Sequence, residues 1–291
     1  MVIDRLYEAV EKNGHVCVGL DTAIDYIPEE ITKEYPSIED ALFQFNKRII
    51  DATFDAAACF KVQIAYYEAY GLAGLLAYKR TLEYVRSKGS IAIADIKRGD
   101  IAATAKMYAK AHFEGDFESD FITLSPYMGM DSIDPYLPYV QSGEKGLFVL
   151  LRTSNKGAAD IQYIEDRDGE KVYTRTGDMM NKIAMDYCGE CGYSSIGAVV
   201  GCTHIDEGTK IRNRYKNMFF LIPGYGAQGG GAADVAVYLQ NGNGGVVNSS
   251  RGILLAYRNY ENGSKSFDEC ARKEVLRMRE DILNGAKIHS K

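Results

Sequence analysis

Ser90-Ile91-Ala92-Ile93-Ala94-Asp95-Ile96-Lys97-Arg98-Gly99-Asp100 is an apolar run that breaks abruptly into charge. Residues 90–94 are small and mostly apolar, the pattern of a strand buried on both faces. Asp95, Lys97 and Asp100 follow at once, where that strand leaves the core. Asp95 and Lys97 have the same side-chain parity on an extended chain, so both can face one side. Asp100 lies beyond them, in a loop or in the first turn of the next helix. Charges are costly to bury unless paired. The group is therefore either an ion network that closes a strand end or a site that holds a lysine between carboxylates. Flanking carboxylates favour the cationic lysine, which makes it a proton donor and a poor Schiff-base nucleophile.

Seven further runs share the pattern. Together the eight are 16–20, 57–60, 91–94, 121–124, 147–151, 196–200, 218–222 and 245–247. Helix-like stretches fill most of the intervals, at 41–55, 66–88, 101–113 and 233–240, with a last one at 267–284. Strands that alternate with helices imply parallel pairing through right-handed crossovers. Eight such units predict an α/β fold, a (β/α)8 TIM barrel, with a doubly wound open sheet as the alternative. A barrel needs roughly 250 residues, so one domain spanning 1–291 fits the chain. Residues 163–173, with the central Asp168-Gly169, read as a small hairpin excursion after the fifth strand.

The net charge is -6. No basic face is expected, which argues against a nucleic-acid partner. A small anionic substrate would need a few local Arg or Lys groups. No apolar run approaches the roughly 20 residues of a membrane span. Residues 1–14 carry Asp4, Glu8 and Glu11 and read as an amphipathic helix without a signal-peptide core. The six cysteines are scattered, which fits reduced thiols and a cytoplasmic location. Cys188-Gly189-Glu190-Cys191 is a lone CxxC with no histidine close in sequence. A structural zinc site wants four ligands, so these two read as buried thiols near a helix end.

Barrel active sites gather at the C-terminal ends of the strands. Those positions hold Asp21, Lys61, the Asp95-Lys97-Asp100 group, Ser125, Thr153-Ser154-Asn155, and Gly201 with Thr203. The seventh strand leads into Pro223-Gly224-Tyr225-Gly226-Ala227-Gln228-Gly229-Gly230-Gly231, and the eighth into Asn248-Ser249-Ser250-Arg251-Gly252. Glycines let backbone N–H groups approach an anion. Gln228 can donate amide hydrogens, and Arg251 can grip phosphate oxygens with two parallel bonds. These two loops are where barrels commonly bind phosphate.

Asp95-x-Lys97-x-x-Asp100-Ile101 resembles the signature of orotidine 5'-phosphate decarboxylases. Val18-Gly19-Leu20-Asp21, Phe60-Lys61, Thr153-Ser154-Asn155-Lys156-Gly157, Pro223 to Gly230, and Arg251-Gly252 match in the family's order. The Thr-Ser-Asn element and the length are similar to the longer branch of that family. The resemblance implies conversion of orotidine 5'-phosphate to UMP and CO2 in de novo pyrimidine synthesis by a homodimer, with no metal and no organic cofactor. It implies that Lys97 protonates C6 of the pyrimidine and that Asp95 lies near the departing carboxylate. Lys61 and Asp21 would hold ribose hydroxyls, and Ser154 would read the ring. Gln228 and Arg251, with Gly229 and Gly230, would hold the phosphate. Asp100 and Thr104 would be contributed across the dimer interface. Three rival readings remain: a metal-dependent sugar-phosphate decarboxylase or aldolase of the same barrel group, a Schiff-base aldolase, and a non-catalytic barrel that binds a phosphate ligand.

Overall fold

Eight parallel strands pair in sequence order, and the eighth returns to the first, so the sheet closes into a barrel. They are β1 Val16–Gly19, β2 Cys59–Gln63, β3 Ile91–Arg98, β4 Phe121–Leu124, β5 Gly146–Arg152, β6 Ser194–Val200, β7 Met218–Pro223 and β8 Gly245–Ser249. The computed structural model describes residues 1–202, 205–226 and 229–289. The helices are α1 Val2–Asn13, α2 Glu29–Glu34, α3 Ile38–Thr53, α4 Ala65–Glu68, α5 Gly71–Ser87, α6 Ala102–Phe113, α7 Leu137–Gln141, α8 Val172–Ala184, α9 Ile205–Arg214, α10 Ala232–Ala236, α11 Arg251–Leu254 and α12 Phe267–His289.

The two-residue period of the strands sorts their side chains into two apolar layers. Val18, Phe60, Val62, Ala92, Ala94, Ile122, Val149 and Ile222 point outward and pack beneath the helices. Cys17, Cys59, Ile91, Ile93, Phe121, Phe148, Phe219 and Val246 point inward and fill the barrel. Val2, Ile3, Leu6 and Val10 of α1 join this inner layer. Their spacing makes one apolar helix face, and that face plugs the N-terminal end of the barrel. The charged side chains of the inner columns, Lys61 and Asp95, lie at the opposite end.

Several boundaries differ from the sequence reading. β2 starts at Cys59, two residues after the apolar run begins, and runs on to Gln63. Lys61 therefore lies within a strand and not after it. β3 continues to Arg98, so Asp95 and Lys97 are also strand residues. The stretch 66–88 is two helices, α4 and α5, parted at Gly71, whose φ of 61° breaks the helix. The helix expected at 233–240 is the shorter α10. The excursion after β5 forms as expected: Glu165 bridges Lys171 in antiparallel fashion, and Gly169 takes a φ of 78° at the turn. All six cysteines are free thiols, but Cys188 and Cys191 are half-buried, not buried. They sit in a tight turn where Cys188 bridges Ser194 and the Cys191 N–H donates to Asp4. Burial and the Asp4 carboxylate push the Cys191 thiol up to about 11, so it is a weak nucleophile at neutral pH.

Candidate active site

Lys61 continues the inward column of Cys59, and Asp95 continues that of Ile91 and Ile93. Side by side at the C-terminal end of the barrel, they meet. Lys61 Nζ donates to Asp95 Oδ2 at 2.9 Å and to Asp21 Oδ1 at 3.0 Å. Lys97 Nζ donates to Asp95 Oδ1 at 2.6 Å. The result is a row of alternating charges, Asp21, Lys61, Asp95, Lys97. The two central members are almost wholly buried, at 4% and 5% exposure. The Lys97 side chain is 45% exposed and forms the open end of the row.

Burial alone would favour neutral forms of both central groups. For Lys61 that effect is outweighed by Asp21 and Asp95, and its pKa rises well above the ordinary lysine value. For Asp95 burial is outweighed by Lys61 and Lys97, and its pKa falls well below the usual carboxylate range. The fold therefore favours ionised Asp95. That stabilisation is present above the carboxyl's unfolded pKa of about 3.9. It is lost as the pH falls through the lower native value.

Four neighbours hold this row in place. Gln63 Nε2 donates to Asp95 Oδ2 at 2.9 Å, and Thr123 Oγ1 donates to Asp95 Oδ1 at 2.8 Å. Ser250 Oγ donates to Asp21 Oδ2 at 2.8 Å, with Asn248 Nδ2 in turn 3.5 Å from Ser250 Oγ. This closure explains Gly19 in the Val-Gly-Leu-Asp element. A Cβ at Gly19 would lie 1.9 Å from Ser250 Oγ, so only glycine lets the ends of β1 and β8 come together. Of these, Asn248 and Ser250 lie in the segment that sequence reasoning places after the eighth strand without a role for either, while Gln63 and Thr123 have no place among the site residues of that reading. Parity offered a signal for three of them: Gln63 is two residues after Lys61, Thr123 two after inward Phe121, and Asn248 two after inward Val246.

Two adjoining cavities share Lys61, Asp95 and Lys97. One, of about 200 Å³, is also lined by Thr123, Leu150, Ser154 and Leu221. Ser154 thus faces the same space as the charged row. It rests on Gly201 at the end of β6, where a Cβ would lie 2.8 Å from Ser154 Cβ. The other cavity, of about 310 Å³, is lined by Asp21, Tyr66, Pro223, Gly224, Tyr225 and Arg251. Arg251 opens α11, is exposed, and makes no ion pair among the described residues. A cation without a counter-ion beside a glycine-rich loop is suited to a bound anion. Tyr26 and Tyr66 also line this end and had no signal in sequence beyond their position after β1 and β2.

The remaining expected residues lie apart. Gln228 and Thr203 fall outside the described residues. Gly229 and Gly230 shape the loop after β7, where the Gly229 N–H donates to Gly226 O, but they do not line the cavity. Asp100 is half-buried, and its Oδ1 accepts from the Ile101 N–H at 2.8 Å. It makes no bond to Lys97 of its own chain among the described contacts. Thr104 is exposed on α6. Among the described residues, no three His, Cys, Asp or Glu side chains gather as a metal-holding group. No described helix is long and apolar enough to cross a membrane.

Comparison with known proteins bears on the family and the fold. The family model described as "Orotidine 5'-phosphate decarboxylase / HUMPS family" matches residues 14–265. The chain is 68% identical over 282 residues to a protein of Clostridium acetobutylicum named orotidine 5'-phosphate decarboxylase, covering 97% of this chain and 99% of that protein. It is 65% identical to the Clostridium tetani protein of the same name over the full length of both. Among solved structures, the OMP decarboxylase of Leishmania donovani superposes with a TM-score of 0.77 at 29% identity, covering 97% of this chain and 99% of that one.

Proposed function

This chain belongs to the orotidine 5'-phosphate decarboxylase / HUMPS family, and on that premise we propose that it decarboxylates orotidine 5'-phosphate to UMP and CO2 in de novo pyrimidine synthesis. The observation that carries this reading is the alternating Asp21–Lys61–Asp95–Lys97 row, which ends in an accessible ammonium beside an anion-ready Arg251. The bond from C6 to the substrate carboxylate breaks, CO2 departs, and the electron pair stays on C6. That carbon delocalises charge poorly. The Lys97 ammonium stabilises the developing carbanion and then gives it a proton, forming the C6–H bond of UMP. A fixed charge in a water-poor site acts more strongly than one in water. Asp95 holds that ammonium and lies near the departing carboxylate, where repulsion is relieved as CO2 leaves.

Lys61 and Asp21 bind the ribose, Ser154 reads the pyrimidine, and Arg251, Gln228 and the Gly229-Gly230 turn bind the phosphate. The phosphate is remote from C6, so its binding energy contributes to catalysis by holding the substrate in place. In this reading the protein acts as a cytoplasmic homodimer, with Asp100 and Thr104 reaching the partner's site. The test is an assay of the purified protein for loss of orotidine 5'-phosphate absorbance, with and without EDTA. Turnover that EDTA leaves unchanged is expected. Turnover that EDTA abolishes would favour the metal-dependent reading, and UMP binding without turnover would favour a binding module.

The phosphate assignment has its own test. A hydrogen bond to a charged group contributes about 1.5–3 kcal/mol, equivalent to roughly 10- to 150-fold in affinity. Arg251→Ala is expected to weaken UMP binding by that factor and to leave uridine binding unchanged, as read by calorimetric titration. Equal losses for both ligands, or none for either, would remove Arg251 from the phosphate site.

A further inference from the structure

β3 and β4 pair through Ala94↔Ile122 and Arg98↔Leu124. Between these pairs β3 spends three residues, Asp95, Ile96 and Lys97, where β4 spends one, Thr123. Such a bulge disrupts the local ladder and re-aims side chains. Lys97 takes up the distortion with a φ of 44°, in the left-handed region that a lysine rarely adopts. Its N–H is left without a ladder partner and donates instead to Thr123 Oγ1 at 2.9 Å.

A hydroxyl has a single proton. With Oγ1 already accepting from the Lys97 N–H, that proton is directed to Asp95 Oδ1 at 2.8 Å. The same carboxylate oxygen receives Lys97 Nζ at 2.6 Å. The contacts therefore form a closed ring, from Lys97 main chain to Thr123 hydroxyl to Asp95 carboxylate and back to the Lys97 side chain. Thr123 is 1% exposed, and it lines the same cavity as Lys97 and Ser154. Outward-facing Ile122 and Leu124 on either side leave it as the one polar side chain of β4.

We propose that Thr123 is a positioning residue of the decarboxylation: its hydroxyl secures the bulge at Lys97 and fixes the Asp95 carboxylate, so that the ammonium is aimed at the reacting carbon. The inference rests on the roles given above to Lys97 and Asp95. Thr123→Val keeps the side-chain shape and removes both hydrogen bonds, whereas Thr123→Ser keeps the hydroxyl.

Misplacing a reacting group by about 1 Å can cost on the order of 10²-fold in rate. Thr123→Val is accordingly expected to lower kcat by about 10²-fold, with UMP affinity close to that of the parent protein. Thr123→Ser is expected to recover most of the rate. A kcat for Thr123→Val within twofold of the parent, while Lys97→Ala is inactive, would overturn the role of Thr123 alone. Activity in folded Lys97→Ala would instead overturn the underlying assignment. Parallel losses of kcat, UMP affinity and Tm would make Thr123 a packing residue and also sink the proposal. Should Thr123→Val fail to fold, Thr123→Cys decides. Its weak thiol donor is expected to give a lowered kcat at intact UMP affinity, and a kcat within twofold of the parent would refute the proposal.

Discussion

Lys97→Ala is expected to lower kcat/KM for orotidine 5'-phosphate by at least about 10⁴-fold while the protein stays folded and still binds UMP. In the proposed mechanism one ammonium does two things. Electrostatic stabilisation of developing charge by one well-placed group is worth about 10²–10³, and proton donation about 10²–10⁴. The fold has little stake in the side chain. Lys97 is half-exposed and makes one ion pair, and an ion pair with that much access to solvent contributes about 1 kcal/mol or less. Asp95 keeps Lys61, Gln63 and Thr123 as partners after the change, so no buried carboxylate is left bare. The left-handed φ of 44° strains alanine much as it strains lysine, so the backbone gains no new reason to move. Circular dichroism melting and UMP titration report the fold, and a sensitive single-turnover assay reports the chemistry. Near-normal turnover in a folded Lys97→Ala protein would end the assignment of Lys97 as proton donor.

The barrel could be read from the chain because strands buried on both faces announce themselves as short apolar runs. The same rule misplaced the strand ends where function begins. Ala57 and Ala58 are apolar, yet they lie before β2 begins. Lys61 and Gln63 are polar, yet they belong to the strand. Hydropathy takes a charged residue as the end of a buried element. Inside this barrel mouth the charges satisfy one another, so the strand runs on beneath them. β3 repeats the case: its apolar run stops at Ala94, and the strand carries Asp95 and Lys97 as far as Arg98. Thr123 escaped notice for the opposite reason. A β-branched residue in Phe-Ile-Thr-Leu looks like an ordinary strand former. Its hydroxyl gains meaning only beside a bulge that no periodicity reveals. Gly19 and Gly201 were visible as glycines, but what each must admit, Ser250 and Ser154, is on another strand's end.

Asp100 leads to the second large effect, because no contact among the described residues ties it to Lys97. It is half-buried just before α6, and its carboxylate accepts from the adjacent Ile101 N–H and not from Lys97. The Lys97 ammonium has three donors, and Asp95 is its one partner among the described residues. Large apolar side chains are exposed in the segments after Asp100 and after β4: Ile101 is 45% exposed, Met107 63% and Tyr127 80%. Exposed large apolar side chains are a feature of contact surfaces. If this face meets a second copy, Asp100 of the partner subunit completes the Lys97 site. Lys97→Ala and Asp100→Ala homodimers should then both be nearly inactive. In a mixed dimer, the site built on the Asp100→Ala subunit has its own Lys97 and receives Asp100 from its Lys97→Ala partner, so it is intact. The other site carries both lesions. Random pairing makes half the dimers mixed, each with one working site of two, which predicts about one quarter of parental activity per site. Were Asp100 to serve its own subunit, every site in the mixed dimer would carry a lesion and nothing would be regained. Co-expression with two affinity tags isolates the mixed species. Activity there no greater than that of the Lys97→Ala and Asp100→Ala homodimers would place Asp100 outside a shared site.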